Sequence, residues 1–250
     1  MRSFSISFGG ILSGALLMVV PPVPGTTLPG GLNPAEIGRV VGVMSTGTAS
    51  RLVRSAEVYP LFPGMKLGVE IVFFPTEDVG FLGARNGSLP SLQPMPRLFL
   101  AKGVLPFLEI SANFFPAAVP SLPSTVGGTV KWDLLNEREH YVEASAYGGY
   151  TVAEAYEGDF KGSAYELGVL VSRDFVAMKP FLGIGGVFGT GTVHPRLAQT
   201  QKVEGTSLNM RAFMGAEFDM PLNISCQLEL TNLAPNSVSL SSAVFLGKRF

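Results

Sequence analysis

The chain has 250 residues, 15% of them charged, with a formal net charge of −1 and a mean hydropathy of +0.34. An ordinary soluble domain carries roughly 25% charge, so few charges are available to cover a wet surface, and the balance gives no basic field for nucleic acid. The single cysteine, Cys226, excludes an internal disulfide, and after Val20 no apolar run approaches the roughly 18 residues of a membrane-spanning helix.

Residues 1–25 read as a secretory signal: Arg2 gives the positive start, Phe8 to Val20 the apolar core, and Val23-Pro24-Gly25 small residues for cleavage. The competing reading, a buried N-terminal helix, is disfavoured by Gly9-Gly10 and Pro21-Pro22. No Cys follows the apolar core, which excludes a lipoprotein anchor. Residues 26–64 form a segment of their own. Within it Asn33 fits an N-cap, Pro34 the first helical position and Glu36 the helix dipole. The spacing predicts a short helix over 33–44 through Ile37, Val40 and Val41, ended by Ser45-Thr-Gly-Thr. The plain expectation is a helix on the periplasmic surface. The sharper one is a plug within the domain that follows.

From Met65 onward the hydrophobic period is two. Ten alternating segments follow in order: Lys66–Phe74, Arg97–Lys102, Phe107–Phe115, Thr125–Leu134, His140–Tyr150, Lys161–Ser172, Ala177–Val187, Ser207–Asp219, Leu222–Thr231 and Ser237–Phe250. The ninth is the cleanest. Leu222, Ile224, Cys226, Leu228 and Leu230 share one face, and Asn223, Ser225, Gln227 and Glu229 the other. Short connections (Gly103–Pro106, Leu135–Glu139, Arg173–Val176, Met220-Pro221) alternate with longer ones (Pro75–Pro96, Pro116–Ser124, Thr151–Phe160, Phe188–Thr206), the last, Asn232–Asn236, being short again. Short turns on one rim and longer loops on the other are the habit of a transmembrane barrel. Eight or twelve strands are the alternatives to ten, since Ser50–Tyr59 offers a further segment and the second is short.

With the apolar face outward, the opposite face collects Glu70, Glu109, Lys131, Asp133, Glu143, Glu166, Lys179, Arg211, Glu217, Glu229 and Arg249. Lys66 and Asp219 share it at strand ends. Eleven charges are few for a soluble sandwich of this length, whose polar face would meet water. Lipid outside and polar groups inside is the membrane solution, and closure satisfies every backbone group. The expected fold is therefore all-β: a closed, antiparallel, up-and-down transmembrane β-barrel over residues 65–250. Seven acids against four bases leave an excess of three negatives in a narrow lumen, which Arg39, Arg51 and Arg54 of the preceding segment are placed to offset. Tyr141 and Tyr147 are expected to fill lumen volume, and Trp132, Tyr150 and Tyr165 to include interfacial girdle positions.

The last segment ends on a terminal Phe250 preceded by Val244 and Leu246 on the same face. This resembles the signal by which bacterial outer-membrane barrels reach their insertion machinery. Gly64-Met-Lys-Leu-Gly-Val-Glu-Ile-Val-Phe-Phe and the hairpin Arg97-Leu-Phe-Leu-Ala-Lys-Gly-Val-Leu-Pro-Phe resemble a group of small, poorly characterised outer-membrane proteins of Gram-negative bacteria, over about residues 60–190. The resemblance implies location in that membrane, with lipid and lipopolysaccharide around the barrel and the insertion machinery as partner in biogenesis, and it brings no catalytic motif. A monomer is expected.

The chemistry-bearing residues are sparse. His140 and His194 fall at opposite rims, ordinary loop positions; a lipid-modifying hydrolase would use His194 with Ser88, Ser91 or Asp159. Two separated histidines and one cysteine make no zinc site, and no cofactor is expected. Glu77, Asp78, Glu154, Glu157 and Asp159 are acidic loop residues able to attract divalent cations, though hydration is the plainer fate. Gly183–Gly191 resembles a phosphate loop, but its spacing fits neither nucleotide pattern, and glycine in a strand points to curvature or crowding. The expected role is structural, a narrow passive channel or a carrier of a small apolar molecule. The alternatives are a membrane-embedded lipid hydrolase and a secreted soluble β-sandwich binding protein.

Overall fold

The computed structural model describes residues 33–50, 54–58, 64–75, 92–115, 123–135, 141–155, 160–175, 177–193, 203–218, 223–233 and 237–249. The signal reading at 1–25, both histidines, Arg51, Phe250, Ser88, Ser91 and the acidic loop residues other than Glu154 lie outside them.

Among the described residues one helix, α1 (Pro34–Thr48), precedes ten strands: β1 (Met65–Pro75), β2 (Leu92–Leu105), β3 (Leu108–Phe115), β4 (Ser124–Leu135), β5 (Glu143–Ala155), β6 (Phe160–Ser172), β7 (Met178–Val193), β8 (Val203–Phe218), β9 (Asn223–Leu233) and β10 (Ser237–Arg249). Each strand pairs antiparallel with its sequence neighbours, and β1 pairs with β10, so the sheet closes on itself. Ten strands are correct, and the sandwich is not formed. The closing register sets Glu70 opposite Phe245 on one side and Arg97 on the other. Closure leaves no edge, so no row of backbone groups has to meet hydrocarbon unpaired.

β2 extends past its sequence boundaries at both ends: it starts at Leu92 and carries Pro94 and Pro96 in its interior. A proline cannot donate to a ladder and is tolerated only where one side is unpaired. Among the described residues that is its setting here: β2 pairs with β3 from Leu98 onward, whereas its pairing with β1 continues to Leu92. The fifth strand is also displaced. It begins at Glu143, not at His140, so Tyr141 precedes it, 81% exposed and with φ of 60°. Tyr141 is thus a rim residue, contrary to the expectation that it fills the lumen.

Side-chain alternation follows the expected inversion. Leu182, Ile184, Met210, Met214, Leu228, Leu230 and Leu240 face outward and are more than half exposed. Glu109, Lys131, Glu166, Arg211 and Glu229 face inward and are buried. No helix among the described residues is long and apolar enough to cross a membrane; the strands make the crossing. A closed barrel with an apolar exterior and ionised groups within is a transmembrane barrel, and it belongs in the outer membrane of a Gram-negative cell. Aromatic side chains mark the short-turn rim: Phe107 packs on Trp132 with ring centroids 5.0 Å apart, and Phe175 stands near them in level, half exposed.

The helix does not lie on the periplasmic surface. Ile37, Val40, Val41, Val43 and Met44 are buried inside the barrel in one cluster with the wall residues Val72, Met95, Phe99, Phe160, Val193 and Phe245. The plain expectation for this helix is corrected: it fills the lumen. Its start is cut as the sequence suggests. Glu36 N donates to Asn33 Oδ1 at 2.9 Å, and Asn33 N donates to Glu36 Oε2 at 2.8 Å, a reciprocal capping box. Its end is not, because α1 continues four residues past Met44, through Ser45-Thr-Gly-Thr, with all four buried.

Candidate functional site

The functional question is what the lumen holds, and three levels answer it. At the long-loop rim the wall is thinned by glycine so that the helix can approach. A Cβ on Gly205 would sit 2.9 Å from Val41 Cγ2 and 3.1 Å from Ile37 Cγ2, and one on Gly191 would meet Phe160 Cε2 at 2.8 Å and Val41 Cγ2 at 3.2 Å. The glycine-rich run of β7 is therefore a seat for α1 and for inward aromatic rings. This half of the interior is apolar, which the expectation of a polar inner face missed.

The middle level fixes the end of the helix and shows why it runs long. Asn209 on β8 donates from Nδ2 to Gly42 O (3.2 Å) and to Thr46 Oγ1 (2.8 Å). Arg97 on β2 donates from Nη1 to Thr48 O (3.0 Å) and Ala49 O (2.9 Å), while its Nη2 reaches Glu70 Oε1 at 3.3 Å. Helix C-termini expose carbonyls and a partial negative charge. A buried guanidinium satisfies both, so tertiary contact overrides the weak local propensity of Ser-Thr-Gly-Thr. Across the lumen Arg211 bonds Glu166 Oε2 at 2.6 Å and Tyr147 Oη at 2.9 Å, with Glu229 at 3.8 Å. Tyr147 reaches across from β5 because Gly168 and Gly185 leave its phenol room; a Cβ at either would stand 2.6 and 2.8 Å from Tyr147 Oη.

The level at the short-turn rim is ionic, and the chain after α1 passes through it. Arg54 pairs with Glu109, which also lies 3.5 Å from Lys131 Nζ. Lys66 pairs with Glu217, and Ser55 donates to the same carboxylate from N and Oγ, both at 3.2 Å. Lys179 Nζ is held between Glu57 (2.8 Å) and Asp174 (3.0 Å). Ala56 N donates to Ser172 Oγ at 2.9 Å, which in turn donates to Glu143 Oε2 at 3.0 Å.

These contacts revise the charge argument. Among the described residues the buried bases are Arg54, Lys66, Arg97, Lys131, Lys179 and Arg211; the buried acids are Glu70, Glu109, Glu166, Glu217 and Glu229. Half-buried Glu57 holds Lys179. Of the three arginines offered as compensation, Arg54 enters the lumen, Arg39 is exposed on α1, and Arg51 lies outside the described residues. Arg97 and Lys66 supply the rest. The sequence alone puts Arg97 at a strand start and Lys66 at a strand end, outside the inward set. Asp133 and Glu143 are only half buried, near the short-turn rim, and Arg249 stands opposite Lys66 in the closing register. Val244 faces outward, exposed, and Leu246 is half buried.

No protein-family model and no curated protein matches the chain. Solved structures with a similar strand arrangement include Ail, the attachment invasion locus protein of Yersinia pestis, at 9% identity over 74% of this chain and 95% of that one, with a TM-score of 0.33. Neisserial surface protein A matches at 10% identity over 73% and 94%, TM-score 0.32. The outer membrane protease OmpT of Escherichia coli matches at 8% identity over 78% and 100%, TM-score 0.44. Likenesses this distant bear on no activity; the fold rests on this chain's own strand pairing.

Proposed function

We propose that the protein is a structural outer-membrane barrel closed to solutes by its own N-terminal segment, acting through the surfaces it presents and not through a passage. The observation that carries this reading is the complete burial of Val40 and Val41 within the lumen, with ion pairs below them at Arg54, Lys66 and Lys131. A narrow channel would need that path free, and an apolar carrier would need the room that Ile37 and Met44 occupy. In this reading the barrel is not an enzyme, binds no cofactor and works as a monomer. The lumen carboxylates serve structure: Glu109, Glu166 and Glu217 each face a base. Outer-membrane lipid and lipopolysaccharide are its surroundings, and Val244, Leu246 and Phe250 form the signal read by the insertion machinery.

Conductance tests the reading. Full-length protein in a planar bilayer is expected to pass no steady current, and protein lacking residues 33–58 is expected to conduct in steps. Steady current through the full-length barrel would refute the proposal.

A further inference from the structure

The exterior is not uniformly convex. A groove of about 750 Å³ crosses the lipid-facing side of β6 to β10. Its course follows a single register row: Ser172 is paired with Phe181, Phe181 with Gly215, Gly215 with Gln227, and Gln227 with Ala243. These side chains point into the lumen, so only their backbone reaches the groove. On one flank stand Leu182, Met214 and Leu228. On the other, Pro180, Ala216 and Cys226 are small and leave the trench open. Among the described residues lining it, Arg173 is the one with a charge.

The groove has a direction. Its Arg173 end lies at the turn between β6 and β7, on the short-turn rim, and its Val244 end lies in the middle of β10. In a barrel whose strands tilt about 40°, a row crossing them runs obliquely from the interface toward the bilayer centre. Four strand spacings of about 4.8 Å make a row about 19 Å long, which at that tilt descends about 12 Å, most of the roughly 15 Å of hydrocarbon in one leaflet. At the rim, the exposed Arg173 guanidinium lies over the Phe175 ring, 5.3 Å from its centroid, which holds the cation at interfacial depth. A cation at the interface and an apolar trench descending from it complement one molecule: a phosphate joined to a long hydrocarbon chain.

We propose that this groove is a specific site for one glycerophospholipid of the leaflet at the short-turn rim, its phosphate on Arg173 and one acyl chain between Leu182, Met214 and Leu228 on one side and Ala216 and Cys226 on the other. The site is separate from the lumen and stands whether or not the lumen conducts.

The test uses full-length protein extracted in mild detergent and examined by native mass spectrometry after graded delipidation. The unaltered barrel is expected to keep one phospholipid after the remaining lipid is gone. Ala216→Phe, which fills the trench from outside, is expected to lower the retained fraction at least tenfold. Val126→Phe, which puts the same ring on the outward face of β4, is expected to leave it unaltered. Arg173→Gln is expected to reduce retention of phosphatidylglycerol severalfold with heat-modifiable gel migration unchanged. Equal retention in all four proteins would overturn the proposal. So would a second copy of the chain in the groove, seen as a dimer that Ala216→Phe abolishes with no lipid released.

Discussion

Arg97 on β2 donates to the carbonyl of Thr48 at the last turn of α1, at 3.0 Å, and thereby ties the plug to the wall. The same guanidinium reaches Ala49 O and Glu70, so one side chain closes a helix end and balances a buried carboxylate. Replacing Arg97 by Ala takes away both. Breaking a buried pair by removing one partner costs about 3–5 kcal/mol, and we expect a loss near the lower figure in urea unfolding of the reconstituted barrel. Trypsin cleavage after Arg54 should accelerate while the barrel still migrates as folded. Arg97→Lys keeps the charge but not the fork, and should recover only part of the loss.

The glycine at 149 makes room for Glu166. A Cβ there would sit 2.9 Å from Glu166 Cγ and 3.0 Å from Cδ, pressing on a side chain that Arg211 holds at 2.6 Å. Gly149→Ala is expected to destabilise by about 1–3 kcal/mol, the range of overpacking. In a Glu166→Ala background the same change should be nearly neutral, because the obstructed group is gone. A double-mutant cycle measured by urea unfolding reads the coupling, and additive effects would contradict the geometry.

Lys66 and Glu217 form a pair buried at the short-turn level. Lys66→Met leaves Glu217 with the neutral donors of Ser55 and the more distant charge of Lys131, which do not replace a contacting ammonium. We expect a loss of about 3 kcal/mol. Lys66→Met combined with Glu217→Leu should be more stable than Lys66→Met alone, since apolar replacement of both partners removes the carboxylate that lost its contacting base. The denaturation midpoints of the three variants check the order.

The exterior and the strand order were legible because alternation is local. Leu222 to Leu230 announce their faces without help from elsewhere, and Asn33, Pro34 and Glu36 announce a helix start. The rest depended on partners distant in sequence. Pro94 and Pro96 fall in the stretch that the sequence assigns to the long connection Pro75–Pro96, and it is the pairing with β1 that carries them into β2, so the sequence alone puts Arg97 at a strand start and not in a continuous wall. The course of α1 was hidden for a similar reason. Its helical extension rests on Asn209 and Arg97, and its seat on Gly191 and Gly205, none of which signals a helix by itself. The charge excess was a sound clue to a plug, but it pointed to three arginines of which the structure places Arg54 in the lumen and leaves Arg39 exposed.

The measurement that bears most directly on the occupied lumen is a disulfide between the plug and the wall. A Cβ on Gly42 would lie 3.7 Å from Ser207 Cβ, inside the 3.5–4.5 Å range that a disulfide requires. With Cys226→Ser removing the native thiol, Gly42→Cys and Ser207→Cys should oxidise in the membrane-inserted barrel, shifting the denatured gel mobility of a protein that migrates as folded before boiling. Reduction should reverse the shift. A folded, inserted barrel in which the two cysteines stay reduced under oxidant would contradict an α1 seated against β8.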